Sequence, residues 1–156
     1  MPRISSGKRY AQAAFELALE KNELESWQKG LEKIAELTKD EELMALLQNP
    51  RLPSDAKKTL LQKQLAEINP LAFNLVLLLV KKGLLRIGQQ IFQQYYSLLD
   101  VHQGIERAKV TTALTLSDEE KETISRRLGD MANRKVGIDG QIDPTIIGGF
   151  IARMGD

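Results

Sequence analysis

The first two-thirds of the chain place apolar residues at intervals of three and four, which is the spacing of an amphipathic α-helix. Six such segments follow one another before residue 104, and short polar stretches separate them. Helices joined by short connections pack as an antiparallel bundle, so the pattern predicts a six-helix bundle. The positions that mark the six helices are Ala11, Ala14, Phe15 and Ala18; Leu24, Trp27, Leu31 and Ile34; Leu43, Leu46 and Leu47; Leu60, Leu61, Leu65 and Ile68; Leu71 to Val80; and Ile87, Ile91, Tyr95 and Leu98.

Residue types that favour helix ends divide these segments. Ser54 is expected to cap the fourth helix. Asn69-Pro70 has the order of an N-cap followed by proline at the first helical position, so the fifth helix is expected to begin there. Gly83 is expected to end the fifth helix, because glycine accepts a left-handed backbone. The sixth helix is predicted to begin at Leu84 and to end at Gly104.

Beyond residue 104 the apolar pattern changes its period to two. Apolar and polar residues alternate from Ala108 to Leu114, which predicts a half-buried strand. Ser117 and Glu120 have the spacing of a capping box, so a helix is predicted to begin there. One side of that helix is expected to carry Ile124, Leu128 and Met131.

Two further strands are predicted in the last part of the chain. The first covers Val136 to Ile142 and the second Ile146 to Met154, with a turn at either Asp139-Gly140 or Asp143-Pro144. The fold predicted from these patterns is mainly α. It has an N-terminal six-helix antiparallel bundle in residues 1–104 and a small α/β C-terminal domain of about three strands in residues 105–156.

Composition excludes several classes of function. The net charge is +1, so we expect no binding to nucleic acid. The chain has no cysteine, which excludes disulfides and thiolate chemistry. Its longest apolar run, Leu71 to Val80, is half the ~20 residues that a membrane-spanning helix needs, so we expect no insertion into the membrane. The basic start lacks an apolar stretch and is expected to be a mature cytoplasmic N-terminus.

No residue pattern predicts a catalytic, cofactor-binding or metal site. The single histidine, His102, is expected to be an ordinary surface or helix-end residue, because no nucleophile motif accompanies it. The carboxylates between Asp118 and Glu122 favour a helix start, where negative charge interacts favourably with the positive end of the helix dipole. Gly148-Gly149 is not followed by the Lys and Ser or Thr of a phosphate loop, so we interpret the pair as a packing device within a strand.

The first and fifth helices carry more apolar surface than a surface helix needs. In the first helix, Tyr10, Ala13 and Leu17 widen the apolar side, and in the fifth, Asn74 is the only polar residue between Pro70 and Lys81. One interpretation places both helices centrally in the bundle. The other is that they lie side by side and leave a groove, floored by alanines, for an amphipathic helix of a partner protein.

Several segments together resemble the delta subunit of bacterial F-type ATP synthase, the oligomycin-sensitivity-conferral protein family of mitochondria. Each motif is weak alone, but their order and spacing are similar along the whole chain. The segments are Arg9 to Ala18, Asn49-Pro50, Lys82-Gly83-Leu84-Leu85, Tyr95, Ala108 to Ala113, Asp143 to Gly149 and Arg153 to Asp156.

The resemblance implies a non-catalytic stator subunit that supports proton-driven ATP synthesis and needs no cofactor. Its N-terminal bundle would hold N-terminal helices of the alpha subunits of the catalytic head, and its C-terminal domain would bind the b subunits of the peripheral stalk. It would lie at the cytoplasmic face of the bacterial plasma membrane as a peripheral protein. The implied contacts with the alpha-subunit helix are Tyr10, Ala13, Ala14, Leu17, Leu75, Leu78 and Leu79.

One departure from the family pattern concerns the C-terminal domain. Family members are expected to continue past the Gly-Asp pair with a turn and a final helix, whereas this sequence ends at Asp156. The domain is therefore expected to lack its last segment. The alternative function is a helical adaptor module that binds the amphipathic helix of some other protein.

Overall fold

The computed structural model describes the backbone of residues 2–154 and the side chains of residues 6–154. Within them it contains seven α-helices, one 3₁₀ turn and three strands, so the fold is mainly helical with a small sheet. The elements are α1 (Pro2–Glu20), α2 (Leu24–Leu37), α3 (Glu41–Gln48), α4 (Ser54–Gln64), α5 (Pro70–Lys81), the 3₁₀ turn Leu85–Ile87, α6 (Gly88–Gln103), β1 (Ile105–Thr112), α7 (Asp118–Ala132), β2 (Lys135–Ile142) and β3 (Phe150–Met154).

The chain forms two compact units, an N-terminal unit that ends at Leu99 and a C-terminal unit that begins at Asp100. The change from one to the other falls within the last turns of α6. The sequence pattern placed the boundary at the end of the same helix, between residues 104 and 105.

The predicted ends of α5 are confirmed. The Asn69 side chain accepts a hydrogen bond from the backbone N–H of Leu71 at 2.9 Å, and Pro70 occupies the first turn. The Asn69 amide also donates to Glu23 at 2.9 Å and to Ser26 at 3.1 Å, which attaches the start of α5 to the start of α2. Gly83, with φ of 68°, follows the helix in the left-handed conformation expected of it.

Two predicted helix starts are wrong. Ser54 is the first residue of α4 and not its cap, because Pro53 occupies the N-cap position in an extended conformation and no side chain caps the helix. The same helix ends at Gln64, so Ile68 lies outside it. The sixth helix begins at Gly88 after a 3₁₀ turn, and a Cβ added to Gly88 would lie 3.1 Å from Thr38 and 3.2 Å from Ile34. This close approach to α2 requires a short residue at the first position of α6.

The N-terminal unit has one continuous core made of residues from every helix it contains. Trp27 and Tyr95 are its largest fully buried side chains. The Tyr95 hydroxyl donates to the backbone carbonyl of Leu24 at 2.8 Å, and its ring meets the Phe15 ring edge to face at 5.7 Å. Burial raises the pKa of the Tyr95 hydroxyl to about 12, so it stays a hydrogen-bond donor over the whole physiological range.

The C-terminal unit is a three-stranded sheet in the order β2-β1-β3 with α7 as the connection from β1 to β2. β1 pairs with β2 in parallel and with β3 in antiparallel orientation. The predicted capping box is confirmed, since the backbone N–H of Glu120 donates to Ser117 Oγ and the Glu120 carboxylate accepts from the Ser117 N–H. Ala108, Val110, Ile124 and Val136 form the core between the sheet and α7.

The structure corrects the predicted strands of this unit. The third strand covers only Phe150–Met154, not 146–154. β2 continues through Asp139-Gly140, and the turn falls at Asp143-Pro144, where the N–H and hydroxyl of Thr145 both donate to Asp143 Oδ1, at 3.0 and 2.6 Å. Leu114 lies beyond β1 and is 80% exposed, and Met131 on α7 is 83% exposed, so neither belongs to the core.

Candidate protein-binding site

Of the predicted contact residues on helix α1, one lies in the core and the others lie at the surface. Gly7, Ala11, Ala14 and Ala18 form its buried stripe, so Ala14, at 3% exposure, offers a partner almost no side-chain surface. Leu17 is 39% exposed, Ala13 is exposed and Tyr10 is half-buried beside the core. Three of the four predicted residues on α1 are therefore accessible.

Helix α5 shows the same division. Ala72, Val76 and Leu79 form its buried stripe, and Leu79 is fully buried. Leu78 is 40% exposed and Leu75 is half-buried. Because most apolar residues on the remaining sides of α5 are half-buried, the helix is less enclosed than a central helix would be.

Both helices are positioned by α2. A Cβ added to Gly30 would lie 3.1 Å from the Cβ of Ala72, so glycine at position 30 lets α5 come close to α2. Helix α1 contacts α2 and meets α6 through the Phe15–Tyr95 ring pair. Helix α2 is thus a common neighbour of α1 and α5, and the groove between these two helices stays a prediction.

A cavity in the N-terminal unit lies elsewhere. It has a volume of about 710 Å³ and is formed by α2, the start of α3 and the segment 64–69. Lysines and carboxylates alternate on its α2 wall, and Lys33 reaches across to the Ala66 carbonyl at 3.4 Å. The exposed apolar side chains of α1 and α5 are the better candidate for a protein-binding surface, because charged residues of both signs stand among the residues that line this cavity.

The polar residues singled out in the sequence occupy ordinary structural positions. His102 is exposed in the last turn of α6, and the carboxylates of 118–120 lie in the first turn of α7. Among residues 6–154, no group of three or more His, Asp or Glu side chains is arranged to hold a metal ion. Within the described part of the chain, every helix is too short or too polar to cross a membrane.

The interpretation of Gly148-Gly149 as a packing device is wrong. Both glycines lie in a bend before β3, and a Cβ added to either would meet nothing within 4 Å. Gly149 has φ of 72°, so its glycine serves the left-handed backbone of the bend. In the preceding turn, hydrogen bonds from the Thr145 side chain and backbone hold the pKa of the Asp143 carboxyl below its usual range.

Sequence reasoning missed one surface of the C-terminal unit. A cavity of about 460 Å³ lies between α7 and the start of β3, and we call it the α7 groove. The spacing of Glu119, Thr123 and Arg127 by four residues places them on one side of a helix and was a signal for it. The groove is lined by Thr112, Leu116, Glu119, Glu120, Thr123, Ile124, Arg127, Gly149 and Phe150.

Comparison with known proteins identifies the family. The model of the ATP synthase delta (OSCP) subunit family matches residues 7–156. The chain is similar to ATP synthase subunit delta of Dehalococcoides mccartyi, with 40% identity over 95% of this chain and 82% of that protein. It is also similar to the subunit delta of Brevibacillus brevis, with 32% identity over 96% of this chain and 87% of that protein.

A solved structure shares the fold. A chain in the cryo-EM structure of the Toxoplasma gondii mitochondrial ATP synthase hexamer superimposes with a TM-score of 0.65 and 24% identity, covering 93% of this chain and 83% of that one. The family match spans both units, and the relatives it groups are ATP synthase delta subunits. The chain therefore belongs to the ATP synthase delta (OSCP) subunit family.

Proposed function

We propose that this chain is a non-catalytic stator subunit of an F-type ATP synthase, which links the alpha subunits of the catalytic head to the b subunits of the peripheral stalk. The N-terminal six-helix unit, residues 1–104 in the predicted division, holds N-terminal helices of the alpha subunits. Residues 105–156 contact the b subunits. The protein acts at the cytoplasmic face of the bacterial plasma membrane without entering the membrane.

The observation that carries this proposal is the apolar surface left open on α1 and α5. Leu17 and Leu78 are 39% and 40% exposed, although both helices already contribute a buried stripe to the core. Tyr10, Ala13 and Leu75 extend this surface. An amphipathic helix that lays its apolar side on such a surface would remove it from water.

Because Ala14 and Leu79 lie in the core, the proposed site has fewer residues that can contact a partner helix directly. Both side chains are less than 4% exposed, so they support the backbone of α1 and α5 from below. The direct contacts with an alpha-subunit helix are then Tyr10, Ala13, Leu17, Leu75 and Leu78. The small side chain of Ala13, which is exposed, allows a second helix to approach the backbone of α1 closely.

A protein that resists torque needs extended contacts and no chemistry. Burial of apolar surface stabilises a complex by about 25 cal/mol per Å² before the cost of association is subtracted. A helix held along two others distributes the load over many such contacts. This requirement agrees with a binding surface made of Leu, Tyr and Ala side chains.

The test is a calorimetric titration of the full chain with a synthetic peptide of an alpha-subunit N-terminal helix. Binding is expected to be saturable and to weaken by about tenfold or more in Leu17→Asp and Leu78→Asp, since each places a charge in the apolar contact. Leu46→Asp on α3 is the matched control, because Leu46 is 48% exposed and lies outside the proposed site. Trp27 fluorescence provides a second signal from α2.

Two results would contradict the proposal. One is the absence of saturable binding in the calorimeter. The other is equal weakening in Leu46→Asp and in the two site variants, which would show a general loss of structure. Co-purification with alpha and beta subunits distinguishes the stator from an adaptor that binds another protein's helix.

A further inference from the structure

The charged residues of the C-terminal unit are distributed unevenly along α7 and the segment that follows it. Four acidic residues lie between Asp118 and Glu122, whereas the segment from Arg126 to Lys135 contains four basic residues and one acidic residue. Because the whole chain has a net charge of only +1, this positive region is a local feature of the molecule.

A cavity of about 720 Å³ opens in the positive region, and we call it the cationic cleft. It is formed by the last turns of α7, the turn after α7 and the first residues of β1 and β2. Its basic lining residues are Arg107, Arg126, Arg134 and Lys135, and the one acidic residue among the described lining residues is Asp130. A cavity of this size is within the range of small-molecule sites.

Local contacts fix the backbone around the cationic cleft. A Cβ added to Gly129 would lie 2.9 Å from the carbonyl oxygen of Arg134, so glycine lets α7 and the turn approach each other closely. Asn133 has φ of 56° and directs the chain from α7 towards β2. The Ser125 hydroxyl donates to the carbonyl oxygen of Val136, which attaches α7 to β2. The basic side chains therefore extend from a turn whose backbone is well defined.

One of the four cations is already balanced by carboxylates of the same unit. Arg107 Nε donates to Asp100 Oδ2 at 2.8 Å, and Arg107 Nη1 lies 3.6 Å from Asp139 Oδ1. Arg107 is therefore part of the wall of the cleft, and its charge is not counted toward a ligand.

The other three cations have weak ion-pair partners or none. Arg126 pairs with Glu122 at 3.1 Å and Arg134 with Glu106 at 3.5 Å, and the two arginine side chains are 73% and 68% exposed. Exposed ion pairs of this kind contribute little stability. Lys135 forms no ion pair with any side chain that the structure describes. Since neither Glu122 nor Glu106 lines the cleft, an anion inside it competes with them at little cost.

We propose that the cationic cleft binds a small anion that carries two adjacent phosphate groups, as in pyrophosphate or the diphosphate of a nucleotide. The guanidinium groups of Arg126 and Arg134 have the planar, forked geometry that matches phosphate oxygens, and Lys135 supplies a third positive charge. Asp130 and the negative end of the α7 dipole oppose a weakly charged anion. A diphosphate has more charge and more acceptor oxygens than a single phosphate, so it can engage the three cations together.

The lining of the cleft also indicates which part of such a ligand is recognised. Among the described residues that line it, none is aromatic, so no ring is available to stack on a base. Ile105 is half-buried and Val136 is buried, so they offer little apolar surface. The phosphate groups are therefore the part that is recognised. Such a site is independent of the proposed stator role, which rests on α1 and α5.

The first test is a calorimetric titration of the full chain with pyrophosphate, ADP, AMP and orthophosphate in the absence of divalent metal. Pyrophosphate and ADP are expected to bind within about twofold of each other, and AMP and orthophosphate at least about tenfold more weakly, because charge-assisted hydrogen bonds to a second phosphate are lost. The absence of saturable binding of pyrophosphate at millimolar concentrations overturns the proposal. A large preference for ADP over pyrophosphate would show that the base is recognised and would also overturn it.

A matched pair of double variants separates the cleft from the net charge of the chain. Arg134→Gln with Lys135→Gln is expected to weaken pyrophosphate binding by about tenfold, because two of the three available cations are removed. Lys109→Gln with Arg153→Gln is the control, since it removes the same charge from two exposed residues that pair across β1 and β3 outside the cleft. Equal weakening in the two double variants overturns the proposal.

The acidic lining residue provides a variant with the opposite sign. Asp130→Asn removes the carboxylate from the cleft and is expected to tighten pyrophosphate binding by about two- to threefold. Amide resonances of residues 125–137 should shift during the titration, and those of β3 should not. Shifts confined to another part of the chain, or weaker binding in Asp130→Asn, contradict a site in the cleft.

A lipid headgroup offers the same phosphate chemistry, so a second measurement distinguishes the two sources. Vesicles that contain phosphatidylglycerol are expected to sediment no more of the chain than vesicles of phosphatidylcholine alone, because the cations surround a concave cleft. If phosphatidylglycerol vesicles bind the chain and the double variant of Arg134 and Lys135 does not bind them, the ligand is a membrane surface and the choice of a small soluble anion is overturned.

Discussion

The two units of the molecule bury apolar surface to different extents. Among the described residues, twenty buried side chains form one cluster in the N-terminal unit, whereas four form the core of the C-terminal unit. The large exposed apolar residues have the opposite distribution. Leu17, Leu19, Leu46 and Leu78 lie in the N-terminal unit, and Val101, Leu114, Met131, Ile142, Ile147, Phe150 and Ile151 lie in the smaller C-terminal unit.

Exposed apolar residues therefore have different structural roles in the two units. In the N-terminal unit, Leu17 and Leu78 lie on helices whose buried stripes already complete a core, so their surface is available for binding without loss of structure. In the C-terminal unit, Phe150 and Ile142 lie at the margin of an incomplete core. A partner that covers them would stabilise the unit as well as bind to it.

The largest expected effect concerns the cores themselves. Leu31→Ala is expected to destabilise the N-terminal unit by about 2–5 kcal/mol, because Leu31 is 1% exposed and its removal leaves a cavity. Urea unfolding followed by Trp27 fluorescence measures this unit alone, since Trp27 is the only tryptophan. Hydrogen exchange in residues 105–154 should stay unchanged.

Val110→Ala is the matching substitution in the C-terminal unit. Val110 is fully buried, and the loss of two methyl groups costs about 2 kcal/mol. Although this free energy is smaller, exchange in residues 105–154 is expected to rise more steeply than exchange in the N-terminal unit does after Leu31→Ala, because a small core has less stability to lose. If hydrogen exchange rises equally in the substituted units of the two variants, the inferred difference in stability between the units is wrong.

A smaller effect is expected from the ion pairs that supplement the small core. Arg107 Nε donates to Asp100 Oδ2 at 2.8 Å, and Arg107 Nη1 lies 3.6 Å from Asp139 Oδ1. Arg107→Ala would leave the Asp100 carboxylate, which is 10% exposed, without this partner, and should destabilise the C-terminal unit by about 1–3 kcal/mol. Hydrogen exchange measures the loss, and the double variant with Asp100→Asn should recover part of it.

The contrast between the units also explains how far the sequence predicts the structure. Repeated apolar spacing and strong local signals such as Asn69-Pro70 and Gly83 define α1, α2, α3 and α5, because a helix is encoded within its own segment. The start of α6 was missed because the apolar residues Leu84 and Ile87 continue the helical spacing, although the segment Leu85–Ile87 forms a 3₁₀ turn.

The C-terminal unit is less predictable for a related reason. The capping box at Ser117 and Glu120 is a local signal and was found, but strand length depends on pairing with β1. Thr112 pairs with Phe150, and β3 begins there, so Ile146 to Gly149 could not extend it. In the candidate site, the spacing placed Ala14 in the apolar stripe of α1, which the structure buries, but the nearly all-apolar sequence of α5 could not show that Leu79 faces the core.

Substitutions in the glycine pair before β3 test the role of each glycine, with expected changes of about 1 kcal/mol in the free energy of unfolding. Gly149→Ala is expected to destabilise the C-terminal unit by roughly 1–2 kcal/mol, because an alanine at φ of 72° is strained. Gly148→Ala should be nearly neutral, since its backbone is ordinary and nothing lies within 4 Å of the added Cβ. Equal losses, measured by hydrogen exchange in β3, would favour the packing role that the sequence first indicated.

The smallest expected effect is the pH dependence of the Asp143 turn. Because hydrogen bonds from Thr145 lower the pKa of Asp143 in the folded chain, the turn is more stable above the carboxyl's ordinary value of 3.8 and loses that contribution as the pH falls through the lowered pKa. The amide resonance of Thr145 should shift over this acidic range, and Asp143→Asn should abolish the shift. Asp139, which is exposed and outside the turn, is the control: Asp139→Asn should leave the Thr145 titration unchanged. A Thr145 titration that persists in Asp143→Asn would assign the pH dependence to another group.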